Sequence, residues 1–363
     1  MKITRISSTE DFAALREEWD ALLAVSPANT AFLTWEWAFS WWEAFHGPDT
    51  DLFVLVATDH EKTVGIAPLV QTRRRLGGLW SLRQIKFLGA ERAAGDYLDF
   101  LIDSRVEGRD VLQAMGEYLR QHGAEWDFLS LLEVPERSVH LPWLAETARD
   151  LGYRFSQDRL RVCPATALPP TWSALELSLS KDFRRNLKYK KRQLLEKRGG
   201  VFRLADTKNL GAELDAFWTL HEKRWNSRGE RGSFTDPDKR EFYRRMAARY
   251  AQKDWLRLYF LAVRDTPIAT LLALRYGGRI YGLQTGFDPA WSKLSVGHVL
   301  LACVLQQAIQ EGCGEYDFLR GTETYKYDWR ARDKHTLALR IVNGHIKARV
   351  LDALTRVKRL GLR

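Results

Sequence analysis

Asp317-Phe-Leu-Arg-Gly-Thr-Glu-Thr-Tyr-Lys-Tyr-Asp-Trp329 carries a short apolar strand that ends in Arg320-Gly321, with Tyr325, Lys326 and Trp329 following within eight residues. Polar groups gathered at the end of a buried strand are where α/β proteins place ligand sites. The first half of the chain holds an echo, Trp126-Asp-Phe-Leu-Ser-Leu131, which repeats Asp-Phe-Leu but has neither the Arg-Gly nor the Tyr-Lys. The two stretches read as one strand used twice, plain in the first copy and equipped in the second.

Working outward, each half repeats a plan. In the first, Phe12, Leu15, Trp19, Leu22 and Leu23 recur at helical spacing, and Ala38, Trp41, Trp42 and Phe45 share a face of a second helix that Thr34 can cap. Strands are expected at 52–57, 64–70, 85–88 and 97–102, then a helix over 106–122, a strand over 126–132 and a helix over 141–151. The Pro-rich passage 163–170 reads as a linker. The second half offers an amphipathic helix from Leu210 to Trp225, another over 238–251, and strands at 256–263, 268–276 and 279–285. A buried helix over 295–310 then leads to a strand over 316–319, and a strand at 337–342 precedes a C-terminal helix. This is a duplication at roughly 180-residue spacing, too long for a solenoid. The expected fold is α/β (α+β), with two tandem domains at 1–162 and 181–363 joined by a linker at 163–180. Each is a mixed, mostly antiparallel sheet flanked by helices.

A chain of 363 residues is long for one core, which agrees with two domains. The 14 tryptophans point first to aromatic packing and second to a partner surface. Three cysteines without paired spacing imply neither a disulfide framework nor a zinc site, and no metal is expected. Residues 1–11 lack the apolar core of a signal peptide, so a cytoplasmic protein is expected. The net charge of +10 is concentrated: residues 181–198 hold nine Lys and Arg against Asp182 and Glu196, and 345–363 hold six against Asp352. An anionic partner follows, whether a phosphorylated cofactor, RNA or a membrane surface. Aromatics for base stacking are few in 181–198, which disfavours nucleic acid.

The joint order of several motifs resembles a family. In the first half these are Trp35 with Trp41-Trp42, Val64-Gly-Ile-Ala-Pro68, Phe87-Leu-Gly89 and Asp96-Tyr-Leu-Asp99. In the second they are Phe183-Arg-Arg-Asn186, His221-x-x-Arg-Trp225, Pro267-Ile-Ala269, Gly286-Phe-Asp-Pro289, Asp317-Phe-Leu-Arg-Gly321, Tyr325-Lys326 and Trp329. The chain resembles the tandem acyltransferases of the GNAT superfamily, in particular the bacterial CelD/BcsL (cellulose biosynthesis) family, related to the FemAB-type peptidoglycan transferases. The resemblance implies two GNAT-like domains, the second catalytic. It implies transfer of an acetyl or other acyl group from acyl-CoA to an amine or hydroxyl, with an envelope polysaccharide or its precursor as the expected acceptor class. Two alternatives stand beside it: a FemAB-like transferase using aminoacyl-tRNA, disfavoured by the lack of sustained heptads, and a non-catalytic, degenerate binding module.

Candidate residues follow. Lys293-Leu-Ser-Val-Gly-His298 lies after a strand and opens a helix, so Ser295 can cap it and its free amides suit a pyrophosphate. By resemblance Lys293, Ser295, Val296, Gly297 and His298 are the CoA candidates, with an ordinary capped helix as the plain alternative. His221 shares a helix side with Arg224 and Arg228. It is read either as a general base or as a packed core histidine. Asp317 is read as orienting or deprotonating an acceptor or, equally, as an ion-pair support, since Asp127 repeats it. Arg320 and Lys326 are expected to hold an anionic group, and Tyr325 to protonate the leaving thiolate. Arg184, Asn186, Arg224, Trp225 and Trp329 are the substrate-contact candidates. The basic segment 181–198 and the C-terminal stripe Ile346, Val350, Leu351, Leu354 and Val357 suit peripheral membrane contact or docking on the parent domain.

Overall fold

A computed structural model describes the backbone of residues 1–76 and 80–360, and the side chains outside 76–80 and 354–363. The chain divides into two units: unit 1 is Met1–Arg161 with His335–Arg363, and unit 2 is Val162–Lys334.

In chain order the first elements are β1 (Lys2–Ile6), α1 (Thr9–Ala14), α2 (Arg16–Val25), α3 (Trp35–Phe45), β2 (Thr50–Leu52), β3 (Val54–Asp59), β4 (Lys62–Ala67), β5 (Leu69–Leu76), β6 (Trp80–Phe87), β7 (Leu101–Ile102), α4 (Gly108–Gln121), β8 (Phe128–Pro135) and α5 (Leu141–Asp150). Next come β9 (Arg154–Ala167), α6 (Trp172–Ser178), α7 (Lys181–Lys191), β10 (Gly200–Leu204), α8 (Leu210–Asn226), α9 (Pro237–Gln252), β11 (Leu256–Val263), β12 (Thr266–Tyr276), β13 (Arg279–Phe287), α10 (Val296–Gln310), β14 (Glu315–Asp317), α11 (Thr324–Asp328), β15 (Arg332–Val342) and α12 (Ile346–Leu360).

Unit 1 holds a sheet ordered β1-β3-β4-β7 and a run ordered β15-β8-β6-β5-β2, in which β6 and β8 are parallel. Thr34 caps α3 as its position predicts, accepting from the Trp37 amide, and Trp35, Trp37, Trp41 and Trp42 are all buried. The aromatic content is therefore spent on packing at this helix.

Unit 2 holds a sheet ordered β10-β11-β12-β13-β14-β9, antiparallel except for β13 and β14. The strand β11 is buried along its whole length, and Val299, Leu300, Val304 and Leu305 of α10 join Leu271 and Ile280 in one apolar core. A period-2 pattern is absent from β11 because both faces are covered.

Two expected boundaries change. Residues 163–167 are strand rather than linker: Ala165, Thr166 and Ala167 pair with β14, and Pro164 contributes only its carbonyl, accepting from the Phe318 amide. A proline is tolerated there because its missing N–H is not needed in the ladder. Residues 335–363, grouped with the second domain on sequence, belong to unit 1: β15 pairs with β8, and Ala348 and Leu351 of α12 pack on Phe128 and Val342. On the predicted α12 stripe Ile346 and Val350 are exposed, while the side chains of Leu354, Arg356, Val357, Lys358 and Arg359 lie outside the described residues. No helix among the described residues is long and apolar enough to cross a membrane.

Candidate functional site

Within unit 2, β13 and β14 are paired only from Arg279↔Glu315 to Tyr281↔Asp317. They then part. The strand β13 runs on through residues 282–287 against β12, while the chain after β14 turns to β9. Gly282 makes the parting possible, because a Cβ there would collide with the Tyr316 hydroxyl. Gly286 brings β13 onto the backbone of α8 at Leu220 and His221, where a side chain would also collide. The wedge between the strands is a cavity of about 260 Å³, walled by Thr285 and Phe287 of β13, Tyr316, the start of α10, and Arg224 and Arg228 at the end of α8. No Asp or Glu lines it among the described residues.

The start of α10 differs from the expected capped helix. Ser295 occupies the N-cap position in the left-handed region (φ 52, ψ 44), and its hydroxyl makes no capping bond. Its carbonyl instead accepts the amides of His298 (2.9 Å) and Val299 (3.1 Å), leaving those of Val296 and Gly297 without a backbone acceptor among the described residues. Both residues line the cavity, and nothing lies within 4 Å of where a Gly297 side chain would begin. Free amides at the positive end of a 15-residue helix attract anions. Lys293 is exposed outside the cavity lining, and its carbonyl accepts from Lys190 Nζ of α7 at 2.6 Å.

Four ionisable groups in the lining, Tyr316, Tyr325, His298 and Arg224, are shifted chiefly by burial. Tyr325 is pushed up to about 12, chiefly by burial and then by Glu323, with Arg224 and Arg228 opposing, so the phenol keeps its proton at neutral pH. Burial holds His298 below its usual 6.5, with Asp328 opposing weakly, so the imidazole is neutral. Its Nδ1 is buried without a hydrogen-bond partner, and the ring packs against Phe183 (5.2 Å between centroids) and Tyr325 (6.2 Å). Arg224 donates from Nη1 to the carbonyl and hydroxyl of Thr285, and its charge is disfavoured by burial and by Arg228.

Other expected site residues lie elsewhere. His221 is fully buried, and its Nε2 accepts the Trp225 indole N–H at 2.9 Å. Burial depresses it to about 4, partly opposed by Gln284. With that lone pair occupied and no place in the lining, the general-base reading gives way to the packed histidine. Trp225 is its partner, outside the lining. Lys326 is also internal: Nζ donates to the carbonyls of Leu319 (3.1 Å), Arg320 (2.9 Å) and Gly321 (3.0 Å) and pairs with Glu323 (2.9 Å). Leu319 and Gly321 have φ of 56° and 111°, and the ammonium gathers the carbonyls of that unusual turn. It holds the loop, not an anionic ligand.

Asp317 accepts from the Leu319 amide (2.8 Å) and from Lys334 (3.3 Å), which is the supporting role its repeat suggested. Trp329 is fully buried against Phe183, so it is core instead of a substrate contact. Arg320, half-buried Arg184 and exposed Asn186 are outside the lining. The cavity thus gathers Ser295, Val296, Gly297, His298, Arg224 and Tyr325 from the expected set. Thr285, Phe287 and Tyr316 were not assigned from sequence, and Arg228 was singled out only as sharing a helix side with His221 and Arg224. The motif Gly286-Phe-Asp-Pro289 was the available signal for the β13 wall.

Comparison with known proteins bears on the fold. Residues 181–327 match the family described as acetyltransferase (GNAT) domain. No curated protein matches the chain significantly. The structure is similar to a crystal structure of FemX, with a TM-score of 0.62 and 11% identity, covering 93% of this chain and 97% of that one. It is also similar to L-PGS from Bacillus licheniformis (TM-score 0.54, 11% identity, 94% and 96% covered). A third likeness is to the C-terminal domain of a putative lysylphosphatidylglycerol synthetase from Agrobacterium fabrum (0.53, 12%, 96% and 96%). At these identities the likeness is one of fold. The chain therefore has a mixed α/β fold, and the described cavity lies within the residues that match the GNAT acetyltransferase domain.

Proposed function

We propose that unit 2 transfers an acyl group from acyl-CoA to an amine or hydroxyl by direct attack. The observation that carries this reading is the convergence, in one wedge between parting strands, of the free Val296 and Gly297 amides with the protonated Tyr325. The amides suit the CoA pyrophosphate, and the edge of β13 that β14 leaves without a strand partner beyond Tyr281 suits the amide-bearing pantetheine arm. The acceptor lone pair attacks the thioester carbonyl carbon, the acceptor proton passes to neutral His298, and the carbon–sulfur bond breaks. Tyr325 Oη gives its proton to the departing thiolate. Amines and hydroxyls on saccharides are the first acceptors to test, in keeping with the family resemblance.

The chemistry sets a pH profile. His298 must be neutral, so the rate falls as pH drops through its lowered pKa, and the acid limb lies below 6.5. Tyr325 must be protonated, and its pKa of about 12 leaves no descending limb from this group up to pH 10. Release of CoA thiol from acetyl-CoA, followed with an amine and saccharide panel, tests the proposal. Tyr325→Phe should lower kcat by about 10²-fold with unchanged acetyl-CoA affinity. An unchanged kcat removes Tyr325 from the mechanism, and a wild type that never releases thiol counts against the donor.

One observation favours a second donor. The basic helix α7 clasps the loop before α10 through Lys190, so an aminoacyl-tRNA could lay its phosphates beside the cavity. Running the assay with aminoacyl-tRNA decides between the two.

A further inference from the structure

The cavity leaves a charge unanswered. Arg224 is braced, with Nη1 tied to Thr285 and the guanidinium 5.4 Å from the Phe287 ring centroid. Its Nε is buried without a hydrogen-bond partner, and no bond from Nη2 is found among the described residues. The Nε–Nη2 edge, two parallel N–H groups at the spacing of a carboxylate or phosphate, is therefore open. Arg228, the next guanidinium along the end of α8, also lines the cavity and has no carboxylate partner among the described residues. The carboxylate that acts electrostatically on Arg224, Glu323, is engaged by Lys326. A half-buried guanidinium with a second, exposed cation beside it and no acid in the cavity lining among the described residues is costly, and a ligand that brings the negative charge relieves it.

We propose that the acceptor is an anion, whose carboxylate or phosphate is received side-on by Arg224 with Arg228 beside it. This rests on the donor assignment above. The rival source of negative charge is CoA itself. Two facts argue for the acceptor. The Val296 and Gly297 amides already offer a phosphate site, and both arginines act electrostatically on Tyr325, the group assigned to the thioester end. The arginines are thus specificity residues for a small acidic amine, such as an amino acid or an amino-sugar phosphate.

The test is calorimetry on the full chain saturated with CoA, using amines matched in pairs: glucosamine 6-phosphate against glucosamine, and β-alanine against propylamine. At least one anionic member should bind about tenfold tighter than its neutral counterpart, or more. The preference should vanish in Arg224→Gln and weaken in Arg228→Gln, with CoA affinity within about twofold of wild type. Arg228 is exposed, so its variant decides the matter if Arg224→Gln melts early. Equal binding within both pairs, or no binding by any member, overturns the proposal, as does loss of CoA affinity in the arginine variants. If wild type fails to bind CoA, the donor assignment falls by itself, and the same pairs titrated into the free protein still decide the anion site.

Discussion

Unit 1 and unit 2 each contain a parallel strand pair joined through a helix, β6–α4–β8 and β13–α10–β14. In unit 2 the pairing falls on the first three residues of β13, so the strands part toward their C-terminal ends. In unit 1 it falls on Gln84, Ile85 and Lys86 near the end of β6, and the Leu98 amide then bonds the Glu133 carbonyl, closing the line that a wedge would follow. The helix starts differ in the same sense. Gly108 opens α4 directly against the Trp143 ring, whereas Gly297 on α10 faces empty space. The cavity beneath α4 is about 30 Å³, with an almost wholly apolar lining, room for about one water. The same plan gives a filled unit and an open one through the register of three residue pairs and the position of one tryptophan.

The largest effect expected from probing this difference is on the loop peculiar to unit 2. Lys326→Met leaves three carbonyls and Glu323 without their shared donor and should cost about 3 kcal/mol of stability in urea unfolding. A change below about 0.5 kcal/mol would return Lys326 to the list of ligand-binding groups. A similar size is expected from pH. His221 titrates near 4 when folded and 6.5 when unfolded, so the unfolded chain binds more protons between those values. Its contribution is full above pH 6.5 and should be lost progressively, to about 3 kcal/mol, as pH falls to 4. His221→Phe should flatten that slope, and a slope that persists would assign it to other groups. On the unit 1 side, Trp143→Ala unplugs α4 and should cost about 2 kcal/mol, since the ring is only partly buried. It should confer no acetyl-CoA binding where strand register keeps the wedge shut. New binding would mean that the tryptophan alone separates the two units.

Much of this contrast was legible in the sequence, but unevenly. The repeat of Asp127-Phe-Leu in Asp317-Phe-Leu identified the strands and the common supporting role: Asp127 takes the Lys347 ammonium (2.8 Å) in unit 1 and Asp317 takes that of Lys334 (3.3 Å) in unit 2. Long periodic elements such as α8 and α10, and the apolar strand β11, were readable because burial dictates their composition. The second half of β9 was not, because Pro164 and Pro169-Pro170 signal a break, and only the pairing with β14 reveals a strand. Lys326 was misread for a related reason. A lysine reads as a solvent-facing or ligand-facing cation, and its burial depends on three carbonyls whose convergence comes from positive φ at Leu319 and Gly321. The loop at 293–298 was found by its place between strand and helix, but the left-handed Ser295 that frees the amides has no sequence signal of its own.

The central claim is that the open helix start in unit 2 receives acyl-CoA. Titration calorimetry of acetyl-CoA into wild type and Gly297→Trp tests it most directly, since a ring at that open, exposed position should leave the melting temperature unchanged while filling the cavity mouth. The account predicts binding by wild type and none by the variant. A folded Gly297→Trp that binds acetyl-CoA as tightly as wild type would contradict it.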